Sequence, residues 1–263
     1  MPPLEINALA DKARTEVADL LDRQLSPLGR RAIAALAPRA GNCVLDVGCG
    51  AGQSVLQLAD IVGPEGRVTG VDIAPTMLAV ARRRALGRGQ VDFIEGDAQK
   101  LALPDHTFDG IYSRFGVMAF ADPVAAFANL WRMMRPSGRL AFVCWRSLAE
   151  NELDLLPLRA AGLDERLDPT PFSFADAGTI RETLEAAGFR QIAIRAHDDP
   201  VSSGDLDAMT TVLLTVGALG KIIRENPHLK ASAEPRLRAA LAERGDPAAV
   251  ALTAATWVVT AIR

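Results

Sequence analysis

The sequence has few of the residues that usually announce a catalytic centre. Aromatic residues make up 5% of its 263 positions and include one tyrosine; there are three cysteines and three histidines. No two cysteines stand in a C-x-x-C spacing, which excludes a zinc ribbon and a dithiol redox site, and an odd count leaves one thiol unpaired in any disulfide scheme. That usage suits a reducing, cytoplasmic compartment. The basic surplus of a phosphate-backbone binder is missing, because 29 Lys and Arg against 32 Asp and Glu give a net charge of −3. Long apolar runs are missing too. The stretch from Val250 to Ile262 is too short and too rich in threonine to span a bilayer. The opening Met-Pro-Pro-Leu-Glu lacks the basic-then-apolar order of a signal peptide. With 49% hydrophobic and 23% charged residues, the chain has the composition of a globular protein.

What is present is an alternation of periods. Leu9, Ala13, Val17, Leu20 and Leu21 recur near 3.6 residues, so the first forty residues read as a helical cap. A buried strand follows at Cys43–Val47, then a helix with Val55, Leu58, Ala59 and Val62 on one face, stopped by Gly63-Pro64. The pattern repeats: strands at 67–71, 91–94, 108–113 and 139–145, with helices at 75–86 and from Asp122-Pro123 to about Pro136. Strands separated by helices predict a parallel sheet covered on both faces. A helix capped by Asp176, a strand at 190–197 and a strand at 254–262 complete the pattern. The helical stretch at about 200–250 reads as a lid inserted in a domain spanning 41–263, with Leu206, Met209, Leu213 and Val216 on one stripe.

The chemistry is carried by Gly48-Cys49-Gly50-Ala51-Gly52, between the first strand and the helix after it. Glycines there allow a sharp turn and close approach of a ligand to the backbone. A dinucleotide fingerprint needs glycine at position 53, where Gln53 stands. A short-chain dehydrogenase needs a Tyr-x-x-x-Lys pair, and Gly116 sits where that lysine would follow Tyr112. A P-loop needs Gly-Lys-Ser/Thr, which is also absent. Asp72 ends the second strand twenty residues after Gly52, where a carboxylate accepts the hydroxyls of a ribose. Gly96-Asp97-Ala98 follows the third strand, where Asp97 can accept from an exocyclic amine and the backbone at Ala98 can meet a ring nitrogen, as adenine requires.

These segments, with Val44–Gly52, Gly70-Val71-Asp72-Ile73 and Arg135–Leu140, resemble the successive motifs of the class I S-adenosylmethionine-dependent methyltransferases over about residues 40–146. Within that superfamily the chain is similar to the small-molecule branch that includes ubiquinone and menaquinone C-methyltransferases. The resemblance implies an α/β fold: a Rossmann-like, doubly wound seven-stranded sheet whose last strand is antiparallel, here with N-terminal helices (1–40) and the helical lid. It implies S-adenosyl-L-methionine as cofactor, with Gly48 and Gly50 on its methionine part, Asp46 supporting the loop and Ser113 beside its amine through the main chain. Cys49, Gln53, Ile73 and Ala98 join Asp72 and Asp97 as cofactor contacts, Cys49 as a loop filler and not a nucleophile. Met77 either flanks the adenine or belongs to the core.

A sulfonium carries its own driving force, so methyl transfer calls for alignment of nucleophile, methyl carbon and sulfur, and no metal. A base is needed only for a protonated nucleophile. His197, read as the end of the sixth strand, is the candidate; the alternative is a surface histidine. Arg114, Trp145 and Arg146 follow the fourth and fifth strands and are read as acceptor-pocket residues or as salt-bridge and core residues. Met209 and Leu213 are read as the acceptor-facing side of the lid, or as packing. The Asp/Asn-Pro-Pro-aromatic motif of amino-group methyltransferases is replaced by Ser113-Arg114-Phe115-Gly116. The expectation is metal-independent methylation at oxygen or carbon of a small organic acceptor, with no nucleic acid or membrane partner and a homodimer as an admissible assembly. The alternative is a non-catalytic S-adenosylmethionine-binding protein whose helical insertion holds a partner.

Overall fold

A computed structural model describes residues 3–163 and 170–263. In chain order the elements are α1 (Pro3–Glu16), α2 (Ala18–Leu36), β1 (Cys43–Val47), α3 (Gln53–Val62), β2 (Arg67–Asp72), α4 (Pro75–Arg84), β3 (Val91–Glu95), β4 (Phe108–Arg114), α5 (Pro123–Met133) and β5 (Met134–Trp145). After them come α6 (Glu152–Ala161), α7 (Ala177–Ala186), β6 (Arg190–Gly204), α8 (Leu206–Thr215), α9 (Gly217–Glu225), α10 (Lys230–Ala242) and β7 (Val250–Ile262). The helix starts follow local chemistry. Pro75 and Pro123 occupy first-turn positions, where the missing N–H costs nothing. Asp122, Asp176 and Asp205 cap α5, α7 and α8 by accepting from Ala125, Thr179 and Ala208 N–H at 3.0, 2.7 and 2.9 Å.

The strands form one sheet in the order β3-β2-β1-β4-β5-β7-β6. Neighbours from β3 to β5 are parallel, and β7 runs antiparallel to β5, with Arg139 opposite Ile262 and Trp145 opposite Thr256. The seven-stranded, doubly wound expectation therefore holds, including the antiparallel last strand. Order reverses between β1 and β4, which sends the connections after these two strands to opposite sides and opens a crevice at their carboxyl ends.

The chain divides into two compact units, and the boundary read at residue 40 is corrected. The sheet unit is Leu28–Arg146, Thr170–His197 and Thr256–Arg263; the helical unit is Met1–Pro27, Ser147–Pro169 and Asp198–Ala255. Residues 28–40 thus belong with the sheet, and α1 with the first half of α2 shares a unit with the segment read as a lid. The sheet unit buries Leu45, Ile111, Phe127, Leu130, Met133, Leu140 and Phe142 completely. In the helical unit, Asn151 binds both backbone groups of Ala255 (3.1 and 2.8 Å). There the Asp154 carboxylate accepts from Ala218 N–H at the start of α9 (3.0 Å), and burial pushes the Asp154 acid up from its ordinary value. Among the described residues no single helix is long and apolar enough to cross a membrane.

Candidate functional site

The glycine loop is fastened to the end of β2. Gly48 and Cys49 N–H both donate to Val71 O, at 2.9 and 3.0 Å. Asp72 completes the attachment: its Oδ2 accepts from Gly50 N–H at 2.8 Å and its Oδ1 from Ala74 N–H at 2.9 Å. A carboxylate offers about four acceptor positions, so two engaged lone pairs leave capacity for two ribose hydroxyls. From α4, Arg84 donates to Ala51 O at 2.9 Å. Met77, buried on the same helix, brings its methyl to within 3.4 Å of where a Gly50 side chain would begin. It lies against the loop at Gly50. The Cys49 thiol is buried, and desolvation, reinforced by the Asp46 and Asp72 carboxylates, pushes its ionisation far up, away from nucleophile chemistry.

Asp46 lies beneath the loop and is fully buried. Its Oδ2 accepts from Ser54 Oγ at 2.5 Å, while Oδ1 is buried with no hydrogen-bond partner among the described residues. Burial raises its pKa from 3.8 to about 7, against the lowering effects of Ser54 and the Arg114 charge; the Asp72 charge adds to the rise. Arg114 donates to Gln53 Oε1 at 2.7 Å, which ties the end of β4 to the first turn of α3. Its stem lies against Gly29, whose carbonyl accepts from the buried Tyr112 hydroxyl at 3.1 Å. Arg114 is thus part of the frame around the loop and Asp46.

Ser113 makes the next attachment with its side chain as well as its main chain. Its buried Oγ donates to Val47 O at 2.7 Å and accepts from Gly116 N–H at 3.1 Å. Gly116 is thereby pressed on the loop: a Cβ on it would fall 2.3 Å from Val47 O. Phe115 between them takes φ of +60°, rare for a bulky side chain. Its ring stacks on Trp145, centroids 4.0 Å apart and planes 18° apart. Arg146 sits over the Trp257 ring at 5.4 Å, and Trp257 Nε1–H donates to Ala175 O at 2.8 Å.

Ile73, the residue after Asp72, is an aliphatic side chain left 69% exposed at this end of the sheet. Asp97, expected to receive an amine, is already engaged. Its Oδ1 accepts from Gln99 N–H at 3.0 Å and the Gln99 amide reaches both carboxylate oxygens. Gln99 Oε1 in turn accepts from Ala121 and Asp122 N–H, which ties the turn after β3 to the start of α5. Ala98 is buried in this turn.

The structure therefore gathers Asp46, Gly48, Cys49, Gly50, Gln53, Asp72, Met77, Ser113 and Arg114 about one loop, with Ile73 beside them and Asp97 and Ala98 after the neighbouring strand. His197 stands apart, and its placement at a strand end is corrected. β6 continues to Gly204, and β4, β5 and β7 lie between it and β1. The strand runs on through Asp198, Asp199 and Pro200, and the proline is tolerated because β6 is an edge strand. The reading of Met209 and Leu213 as acceptor-facing is corrected as well. Both are buried, and Met209 Sδ accepts from Ser203 N–H at 3.1 Å and lies 3.5 Å from Gln24 Nε2, all within the helical unit. Their stripe packs into that unit's interior. Ser54, Arg84, Gln99, Phe115, Gly116 and Trp257 were not read from sequence. Of these, only the Phe-Gly pair following a strand carried a local signal.

The arrangement fits S-adenosylmethionine on its own observations. The buried Asp46 Oδ1 has no partner among the described residues, Asp72 keeps acceptor capacity, and Ile73 offers an apolar surface next to it for a ring. A profile described as a methyltransferase domain matches residues 45–142. The ubiquinone/menaquinone biosynthesis C-methyltransferase UbiE of a Marinomonas strain is 39% identical over 175 residues, 65% of this chain and 66% of that protein. A demethylmenaquinone methyltransferase of Thermus thermophilus is 41% identical over 128 residues, 46% of this chain and 58% of that one. The chain thus spans just under two thirds of the length of these relatives, or less. A crystal structure of a SAM-dependent methyltransferase from Aquifex aeolicus shares the fold, with a TM-score of 0.52, 24% identity and coverage of 77% of this chain and 94% of that one. Motif order, loop geometry and these similarities converge on residues 45–142, which match a methyltransferase domain, in a chain similar to the C-methyltransferases named above.

Proposed function

We propose that this protein transfers the methyl group of S-adenosylmethionine to a carbon or oxygen of a small organic acceptor of the quinol type. The observation that carries the reading is the Asp72 carboxylate, which braces Gly50 N–H at the carboxyl end of β2 and retains lone pairs for a diol. The named relatives, a ubiquinone/menaquinone biosynthesis C-methyltransferase and a demethylmenaquinone methyltransferase, support the acceptor class.

When bound, the cofactor supplies an electrophilic methyl group on a sulfonium leaving group. The chain's own part is binding and orientation. Asp72 would take the ribose hydroxyls, the Gly48 and Gly50 backbone would hold the methionine part, and Ile73 would pack on the adenine. Asp46 and Ser54, joined at 2.5 Å, hold β1 to α3 under the loop. Arg114 and Gln53 hold β4 to the same helix. Fixing these elements before binding lowers the entropy cost of lining up an in-line displacement. A quinol oxygen activates its own ring carbon, so the acceptor brings much of the nucleophile's reactivity with it.

The test is titration calorimetry with S-adenosylhomocysteine and NADH, followed by assay of S-adenosylhomocysteine release with reduced demethylmenaquinone. Homocysteine-form binding, no comparable NADH signal and acceptor-dependent turnover are expected. Equal affinity for the two nucleotides would reject the cofactor reading; cofactor binding without turnover on any quinol would reject the acceptor class.

A further inference from the structure

Phe115 is held in a backbone conformation that its own side chain disfavours. Residues at such angles persist where their surroundings over-determine them, and they concentrate at functional sites. Here the surroundings are identifiable. Phe115 N–H donates to Val143 O at 3.0 Å, and the next residue, Gly116, is held by Ser113 Oγ at 3.1 Å. Gly116 in turn lies against Gly48, where an added Cβ would be 2.6 Å from Gly116 Cα. The direction of the Phe115 ring is therefore set by the backbone of the cofactor loop. A residue serving only to fill the core at this position has no need of a left-handed turn.

The ring does not stand alone. It is half-buried and stacked on the half-buried Trp145, planes 18° apart and centroids 4.0 Å apart. Trp145 ends β5 beside the strand that Phe115 follows, so the stack lies at the carboxyl edge of the sheet, where β1 delivers the glycine loop. Two nearly parallel rings present a flat, polarisable surface, which favours a third flat ring by offset stacking and offers little to a saturated, puckered molecule.

We infer that Phe115, backed by Trp145, is the residue that selects a planar conjugated acceptor. The inference rests on the methyl-transfer reading and deepens it by assigning the acceptor discrimination to one side chain. It also connects two parts of the site, since the Gly48–Gly116 contact that shapes the cofactor loop aims the acceptor wall.

Two variants separate ring from backbone: Phe115→Asn, because asparagine tolerates positive φ, and Phe115→Tyr, which keeps the ring. Binding of 1,4-naphthoquinone to the protein saturated with S-adenosylhomocysteine is read by quenching of tryptophan fluorescence. Turnover is read with 1,4-naphthohydroquinone and with an acyclic β-diketone. Phe115→Asn should weaken naphthoquinone binding by about tenfold or more and lower kcat/KM for the naphthohydroquinone similarly, through KM. The β-diketone and S-adenosylhomocysteine affinity should stay within about threefold, and Phe115→Tyr should restore the native values. Unchanged quinone binding in Phe115→Asn, an equal loss for both acceptors, or no quinone binding by the native protein overturns the inference. Quinone binding that responds to Phe115→Asn without methyl transfer to any acceptor supports the wall and overturns the methyl-transfer reading.

Discussion

Gly48 and Gly116 meet backbone to backbone: a Cβ on Gly48 would lie 2.6 Å from Gly116 Cα, and a Cβ on Gly116 would lie 2.9 Å from Gly48 Cα and 2.3 Å from Val47 O. The two residues are far apart in sequence, and each is glycine because of the other. Gly48 also needs its φ of +71° to turn out of β1.

Gly116→Ala therefore forces β4's exit away from the loop, since backbone cannot yield as a flexible side chain does. A loss of about 2–4 kcal/mol in stability is expected from denaturant unfolding. At temperatures where the variant remains folded, S-adenosylhomocysteine should bind at least about tenfold more weakly. Native stability and affinity in this variant would mean that the contact is loose.

Asp72→Ala removes a carboxylate that braces Gly50 and Ala74 at the carboxyl end of β2. Cofactor binding should weaken by about 1.5–3 kcal/mol, the value of a pair of charge-assisted hydrogen bonds. Titration calorimetry checks it. An unaltered affinity would turn Asp72 away from the ribose and make it a loop brace alone.

Arg84 acts on the loop through Ala51 O. Arg84→Met should weaken S-adenosylhomocysteine by about three- to tenfold, one charged hydrogen bond's worth of loop order. The exposed Arg83→Met serves as control and should bind as the native protein does. Equal behaviour of the two variants would remove Arg84 from the site.

Asp46 gives the fold a pH dependence of known sign. Its folded-state pKa is raised from 3.8 to about 7 by burial, so between these values the folded chain holds a proton that the unfolded chain has lost. Stability from this group is greatest below the unfolded value, declines as pH rises toward 7 and is flat above. Between pH 5 and pH 8 the decline is about 2–3 kcal/mol. Asp46→Asn should flatten this slope in urea unfolding. Identical slopes for native protein and variant would show that Asp46 titrates as an ordinary carboxylate.

Met209→Asp places a charge where a buried thioether accepts the Ser203 N–H. Burying an unpaired carboxylate is costly, so a loss of about 3 kcal/mol or more in stability is expected, not a selective acceptor defect. A variant with native unfolding and damaged turnover would restore Met209 to the acceptor site.

Legibility followed the range of the interactions. The glycine loop, Asp72 and the strand–helix alternation were readable because turn, cap and period are local properties. Asp46 was readable as a position, but its unpartnered oxygen and raised pKa depend on burial by residues distant in sequence. His197 was misplaced because the strand was read from the alternation at 190–197, while β6 continues to Gly204 through Asp198, Asp199 and Pro200, which an edge strand tolerates. The stripe of Met209 and Leu213 was visible as a stripe, but periodicity does not tell which neighbour receives it. Phe115 was hinted at only by the Phe-Gly pair after a strand; the contacts that hold its φ, to Val143 O and through Gly116 to Ser113 and Gly48, are made by packing that no local propensity reports. The division at Pro27 was hidden, since each unit is assembled from three separated segments.

The position of β7 inside the sheet, between β5 and β6, sets a timetable for biosynthesis. Residues 256–262 pair with β5, yet they are translated more than a hundred residues after it. Until they leave the ribosome, β5 has one open edge and β6 has no place to add. The glycine loop and the parallel strands β1 to β5 are made first and must wait, with the backbone N–H and C=O groups of one edge of β5 unpaired, for a strand that arrives late. Long-range closure of this kind slows folding and extends the interval in which that edge can pair with another chain.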